Sequence, residues 1–212
     1  MSEHYFTERP GTAPARRQVR LALRDLQLTL ATDAGVFSPD AVDVGTLVLL
    51  TGAPPPPATG HLLDLGCGYG PLTLALACRS PGATVWGVDV NARARDLARE
   101  NAAAAGLGNV RIGGPDEVPG AIRFAAIWSN PPIKVGKPVL HELLLRWLPR
   151  LTPDGLAHLV VHKHLGSDSL QRWLVDQGFG ATRVLSQRGY RVLAVSPPVA
   201  PSATPPVPGG PP

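Results

Sequence analysis

The sequence predicts an α/β fold, a mostly parallel, doubly wound sheet that ends in a C-terminal antiparallel hairpin. Three observations carry this. Short apolar runs alternate with helix-patterned segments from Leu62 to Gln177, the order that builds a parallel sheet covered on both faces. A glycine loop, Asp64-Leu65-Gly66-Cys67-Gly68-Tyr69-Gly70-Pro71, follows the first of those runs, where such sheets turn from strand to helix. Two β-patterned runs, 182–187 and 190–195, flank a turn at Arg188-Gly189.

Element by element, residues 1–17 read as a flexible arm. From Gln18 to Thr32, Val19, Leu21 and Leu23 alternate with polar neighbours. Leu26, Leu28 and Leu30 repeat the pattern after a phase shift at Arg24-Asp25, which reads as a hairpin. Ser38-Pro39-Asp40 is expected to start a helix to about Leu50, with Ser38 as cap and Pro39 in the first position. Pro54 to Pro57 ends it. Strands are then expected at Leu62 to Leu65, Thr84 to Val88, Asn109 to Ile112, Phe124 to Trp128 and Leu156 to Val161. Helices are expected at Pro71 to Cys78, Asn91 to Ala105, Val139 to Leu151 and Ser169 to Gln177. The domain proper spans 18–195. The tail 196–212 is Pro-rich without periodicity and reads as disordered, or less readily as a Pro-rich ligand.

The 212 residues suffice for one core-forming domain and are few for two. No apolar run approaches the roughly 18 residues of a membrane span, and the first ten residues lack a signal peptide's apolar core. Cys67 and Cys78 fit neither a zinc nor a disulfide framework, so a reduced, cytoplasmic setting without metal is expected. Twenty Lys and Arg against 16 acids give a net charge of +4, which permits an anionic partner without requiring one.

Gly66, Gly68 and Gly70 recur every second residue, unlike the Gly-x-Gly-x-x-Gly of dinucleotide sites. Small residues there let a ligand approach the backbone and the N–H groups of the following helix. Asp64 suits an ammonium group better than a pyrophosphate, which points to S-adenosyl-L-methionine. Asp89, ending the second strand, is placed to accept from both ribose hydroxyls, or to cap the helix from Asn91. Asp116, past the third strand, is a candidate acceptor for the adenine amine, or a solvated loop acid. Cys67 and Asn91 complete the expected cofactor set.

Trp128-Ser129-Asn130-Pro131-Pro132 lies about 65 residues beyond the glycine loop, a span of two βαβ units. An amine conjugated to an aromatic ring is a poor nucleophile because its lone pair is delocalised. The Asn130 side-chain oxygen and the Pro131 carbonyl can accept its two N–H bonds and stabilise the positive charge that grows on methylation. Pro131 and Pro132 fix the backbone. A proline loop ending a strand is the bland alternative, and the upstream glycine loop argues against it.

Four segments in this order resemble the class I S-adenosylmethionine-dependent methyltransferases, and within them the small methyltransferase domain of bacterial 16S ribosomal RNA guanine-N2 methyltransferases (the RsmC-like group). They are Gly35-Val36-Phe37-Ser38 with Asp43-Val44-Gly45-Thr46, the glycine loop, Val88-Asp89-Val90-Asn91, and Ser129-Asn130-Pro131-Pro132. The resemblance implies a Rossmann-like fold, S-adenosylmethionine as cofactor, and a guanine N2 amine of ribosomal RNA or the small ribosomal subunit as target. It also implies that the Gly35 to Thr46 segment, with Phe37, covers the cofactor and frames the base; a core role for Phe37 is the alternative. Ile133 occupies a position usually aromatic in this family, and the family's second, non-catalytic domain has no counterpart in these 212 residues. An adenine amine, a protein glutamine and a non-catalytic RNA- or cofactor-binding module are the competing readings. Lys134 and Lys137 are expected to touch phosphates beside the base, and His162-Lys163-His164 faces the same rim. Arg16, Arg17, Arg20 and Arg24 read chiefly as solvated charges, and His141 as an ordinary helix-surface residue.

Overall fold

A computed structural model describes residues 11–198. Most of the expected N-terminal arm (residues 1–10) and of the Pro-rich tail (residues 199–212) lies outside the described residues. A hairpin, β1 (Arg17–Ala22) and β2 (Gln27–Thr32), precedes helix α1 (Val44–Gly52). Then come β3 (Thr59–Leu65), α2 (Pro71–Arg79), β4 (Gly82–Val88), α3 (Ala92–Ala104), β5 (Val110–Gly113), β6 (Phe124–Ser129) and α4 (Lys137–Trp147). The chain continues through β7 (Leu151–His162), α5 (Ser167–Asp176), β8 (Gly180–Gln187) and β9 (Tyr190–Ser196).

Seven strands form one sheet in the order β5-β4-β3-β6-β7-β9-β8. The pairs from β5 to β7 are parallel, whereas β9 runs antiparallel to both β7 and β8. The winding direction reverses between β3 and β6, so the loops after β3, β4 and β6 open into one crevice. Successive residues of β3 point to opposite faces: Leu62 joins the core with α1, α2, α3 and the hairpin, while Leu63 and Leu65 join the core with α4 and α5. Burial on both faces explains why the central strands read as continuous apolar runs.

One helix start departs from expectation. Ser38 has φ 50° and donates through Oγ to the Ala41 carbonyl at 2.6 Å, so Ser38-Pro39-Asp40 is a turn and not a helix start. The cap is Asp43, whose Oδ1 accepts from Gly45 N at 2.8 Å and Thr46 N at 3.2 Å. The displaced turn is fixed from outside, since the Tyr69 hydroxyl reaches the carbonyls of Ser38 at 3.3 Å and Ala41 at 3.4 Å. The helix expected to reach Leu151 ends at Trp147, and a 3-10 turn (Leu148–Arg150) leads into a β7 longer than expected.

The hairpin is docked by two polar ties. Arg79 at the end of α2 makes a two-pronged contact with Asp25 at 2.8 and 3.0 Å and donates to the Leu50 carbonyl. Buried Asn101 of α3 accepts from Ala31 N at 2.7 Å and donates to the carbonyls of Ala31 and Tyr69. Residues 12–16 lie along the same side, where Arg93 donates to the Thr12 carbonyl and Arg16 pairs with Glu100.

Trp147 is fully buried between Phe124 and the guanidinium of Arg150, and its Nε1 has no partner among the described residues. Trp147→Ala is expected to destabilise the protein by about 3–5 kcal/mol in urea unfolding. Trp147→Phe, which removes the unpaired N–H and keeps most of the ring, should cost less than about 1.5 kcal/mol.

Candidate cofactor and target site

Each glycine of the loop after β3 has a positive φ: 81° at Gly66, 55° at Gly68 and 98° at Gly70. Their roles differ. A Cβ on Gly70 would strike Leu74 at 2.8 Å and Ala98 at 3.3 Å, so this glycine lets α2 and α3 pack. A Cβ on Gly66 or Gly68 meets no protein atom, and both residues line a cavity with Phe37, Asp89, Asn91 and Asn130. Gly66 N and Cys67 N donate to the Val88 carbonyl, which fixes the loop against β4. The Cys67 thiol is buried, and burial pushes its pKa well up, which leaves it an inert wall residue.

Asp64 lies beneath this loop, almost wholly buried. Its Oδ2 accepts from the Thr73 hydroxyl at 2.6 Å, and its Oδ1 has no partner among the described residues. Burial raises its pKa to about 7, against the opposing hydrogen bond from Thr73. Asp64 lines the end of the crevice with Ser38, Asp43, Thr46 and Leu72, where an ammonium group would satisfy the open oxygen. Asp89 holds the loop by accepting from Gly68 N at 2.9 Å and Asn91 N at 2.8 Å. Burial raises the Asp89 pKa, while those N–H groups and Arg95 oppose the shift. Asn91 both caps α3 through Ala94 N and donates to the Gly35 carbonyl, tying the Phe37 loop over the cavity.

Beyond Asp89 an apolar slot of about 150 Å³ is walled by Val90, Pro115, Pro132, Val135, Val139 and Leu143. Its shape and chemistry suit a flat heterocycle, and Val90 and Val139 are exposed there despite being apolar. The Asp116 carboxylate, the expected acceptor for an adenine amine, is 92% exposed and pairs with Arg146 at 2.7 Å, while its neighbour Pro115 lines the slot. An open carboxylate oxygen at Asp64, a second carboxylate at Asp89 and an apolar slot, with no Lys or Arg among the residues that line these three cavities, fit S-adenosylmethionine along the crevice. Gly66, Asp89 and Pro132, expected as site residues from sequence, also border this slot, and Val90 lies in the Val88 to Asn91 motif; Pro115, Val135, Val139 and Leu143 carry no signal beyond being apolar.

Asn130 directly follows β6, where this crevice meets an open cleft of about 410 Å³. Its Nδ2 donates to Asp43 Oδ1 at 2.7 Å and to Thr46 Oγ1 at 3.2 Å. A carboxylate only accepts, so the amide nitrogen must face Asp43 and Oδ1 is left uncommitted. Asp43 and Thr46 fall in the Gly35 to Thr46 segment expected to frame the base, but neither the cap at Asp43 nor the tie of both residues to Asn130 was expected, since the cap was assigned to Ser38. The Pro131 carbonyl, expected to be free for the target amine, already accepts from Ile133 N at 2.8 Å, which leaves it one lone pair. Phe37 is 37% exposed and borders both the crevice and the cleft, so it is not a core aromatic. Ile133, Lys134, His162, His164 and Tyr190 line the cleft, with His162 edge-on to Tyr190 at 4.9 Å. Lys137 lines none of the described cavities; it opens α4, where its charge acts on His141, and the His141 ring stacks on Trp173 at 3.7 Å. Among the described residues no group of three or more His, Cys, Asp or Glu is placed to hold a metal, and no helix is long and apolar enough to cross a membrane.

The unpaired Asp64 oxygen sets a pH dependence. With its folded pKa raised to about 7 from 3.8, Asp64 favours folding below about pH 4, and that contribution is lost as pH rises through about 7. A bound ammonium reverses the preference by stabilising the carboxylate. S-adenosylmethionine affinity should therefore rise with pH up to about 7 and level off above it, with proton release on binding below pH 7. Titration calorimetry in buffers of different ionisation enthalpy checks this, and Asp64→Asn should flatten the profile.

The methyltransferase small-domain model matches residues 27–194. The chain is 36% identical to the uncharacterised protein YbxB of Bacillus subtilis, covering 91% of this chain and 98% of that one. It is also 36% identical to ribosomal RNA small subunit methyltransferase C of Pseudomonas aeruginosa, covering 87% of this chain and 56% of the relative. Among solved structures, the T. thermophilus 16S rRNA N2 methyltransferase RsmC, in complex with AdoMet and guanosine, superposes with a TM-score of 0.72 at 26% identity, covering 85% of this chain and 50% of that one. The chain thus spans about half the length of the ribosomal RNA methyltransferases it matches. Its sheet order, its glycine-walled crevice and these matches agree: the chain belongs to the methyltransferase small-domain family, with S-adenosylmethionine as its cofactor.

Proposed function

We propose that this protein methylates the N2 amine of a guanine in small-subunit ribosomal RNA, free or within the small subunit. The observation that carries the reading is the state of Asn130. Its amide nitrogen is committed to Asp43 and Thr46, and its oxygen is left as an acceptor where crevice and cleft meet. S-adenosylmethionine, when bound, supplies the methyl group. Asn130 Oδ1 and the remaining lone pair of the Pro131 carbonyl take the two amine hydrogens and turn the nitrogen lone pair toward the crevice. As positive charge grows on the nitrogen, both oxygens stabilise it more strongly than in the ground state, and the alkylated nitrogen then releases one proton to solvent through the open cleft to give the neutral N-methyl amine. Ile133 and Phe37 give the base apolar contact, and Lys134 stands at the rim within reach of a phosphate. The P. aeruginosa and T. thermophilus relatives, named for small-subunit ribosomal RNA, support this choice of substrate.

Incubation with methyl-labelled S-adenosylmethionine and unmodified small-subunit RNA, free and assembled, followed by nucleoside digestion, tests the reading. Label in N2-methylguanosine is expected. Cofactor binding without label in RNA would move the assignment to a protein or small-molecule acceptor. Asn130→Ala should lower kcat by at least about 100-fold, the scale of losing one oriented transition-state partner, with cofactor affinity within about twofold of wild type.

A further inference from the structure

Resting on the guanine reading above, we infer that Asp43 selects the target base, its second carboxylate oxygen accepting the N1–H of guanine beside the amine held by Asn130. Asp43 borders both the ammonium end of the crevice and the open cleft, as Asn130 does. Its two oxygens have separate duties. Oδ1 accepts from Gly45 N, Thr46 N and Asn130 Nδ2, and Oδ2 accepts none of the hydrogen bonds formed among the described residues. No Lys or Arg among the described residues forms a salt bridge with it. The side chain is half-buried, so the open oxygen gains from a donor brought in by a ligand.

Guanine brings that donor. Its N1–H and N2 amine lie side by side on one edge, a row of donors that matches acceptors at Asp43 Oδ2 and Asn130 Oδ1. Adenine offers an amine, but its N1 is an acceptor and would face the carboxylate lone pairs. A glutamine side chain brings its amine with no second N–H beside it. Selection therefore comes from repulsion of the wrong edge as much as from attraction of the right one.

The probe that isolates this contact is 2-aminopurine riboside, which keeps the N2 amine and presents N1 as an acceptor. Affinities of guanosine, 2-aminopurine riboside and adenosine are measured by calorimetric titration of the full chain saturated with S-adenosylhomocysteine. Wild-type protein should prefer guanosine over 2-aminopurine riboside by about 10-fold or more. Asp43→Asn, which keeps an oxygen for the helix cap and for Asn130 but sets an N–H donor where Oδ2 stood, should bring that ratio to one or below while the thermal midpoint stays near wild type. Asp43→Ser, which still caps α1, provides the same readout if the Asn variant folds poorly. A purely structural Asp43 would leave the ratio intact in the variants. Equal wild-type affinities, absence of guanosine binding, or a ratio that survives both substitutions overturns the inference. RNA labelling with the same preparation keeps the two readings apart. N2-methylguanosine formed by a protein that does not discriminate the nucleosides removes the role of Asp43 alone. Guanosine selectivity without RNA labelling removes the ribosomal RNA assignment alone.

Discussion

One carboxylate oxygen, Asp43 Oδ1, holds the start of α1 and the amide of Asn130 together. The two elements are 87 residues apart in sequence, and neither has a local reason to meet the other. The cap fixes where α1 begins, and α1 packs on the same face of the sheet as Leu62 and Trp128, next to the end of β6. The same oxygen fixes which way the Asn130 amide points. An amide free to flip would present a donor half of the time, and a donor has no use for a target amine. Thr46, inside the capped turn, adds a second constraint on the nitrogen.

Around that point the site is assembled from loops that hold one another. Tyr69 of the glycine loop supports the Ser38–Ala41 turn, Asn91 supports the carbonyl of Gly35, and Asp89 supports the amide of Gly68. Phe37 is therefore carried to the junction of crevice and cleft by its neighbours' hydrogen bonds and not by burial of its own ring. The sheet, packed on both faces, sustains the burial of Asp64, which a small isolated loop would leave in water. Among the buried atoms without a partner in the described residues, Asp64 Oδ1 belongs to a residue that lines the crevice, where a bound cation would relieve it.

The cleft is open, and its lining mixes rings and cations: Phe37, His162, His164 and Tyr190 with Lys134. Ile133 offers apolar contact without a π-face, and rings come to the cleft from the loop before α1, from the end of β7 and the turn after it, and from β9. The antiparallel pair β8–β9 thus does more than close the sheet: Gly45 leaves room for the Tyr190 ring, which a Cβ would meet at 2.8 Å, and that brings the end of the sheet against the start of α1.

Much of this was legible in sequence because the signals are local. Period-2 and period-3.6 patterns marked the hairpin, the strands and most helices, and the glycine spacing with Asp64 and Asp89 marked the crevice. The Asn-Pro-Pro segment marked what the fold places at the junction of crevice and cleft, because its acceptors and fixed backbone are properties of the residues themselves. What failed depended on partners distant in sequence. Ser38-Pro39 has the composition of a helix start, yet Tyr69 holds it as a turn and Asp43 takes the cap. Asp116 reads as an acceptor from its place after β5, and the partner it has in the fold, Arg146, is 30 residues away. Lys137 looked like a phosphate contact until the helix it opens carried it away from the cleft. Composition and spacing determine which backbone shapes and which chemical groups are present, since both are properties of neighbouring residues. Which oxygen is spent and which is left open is decided only when the folded chain brings distant donors and acceptors within about 3 Å of one another.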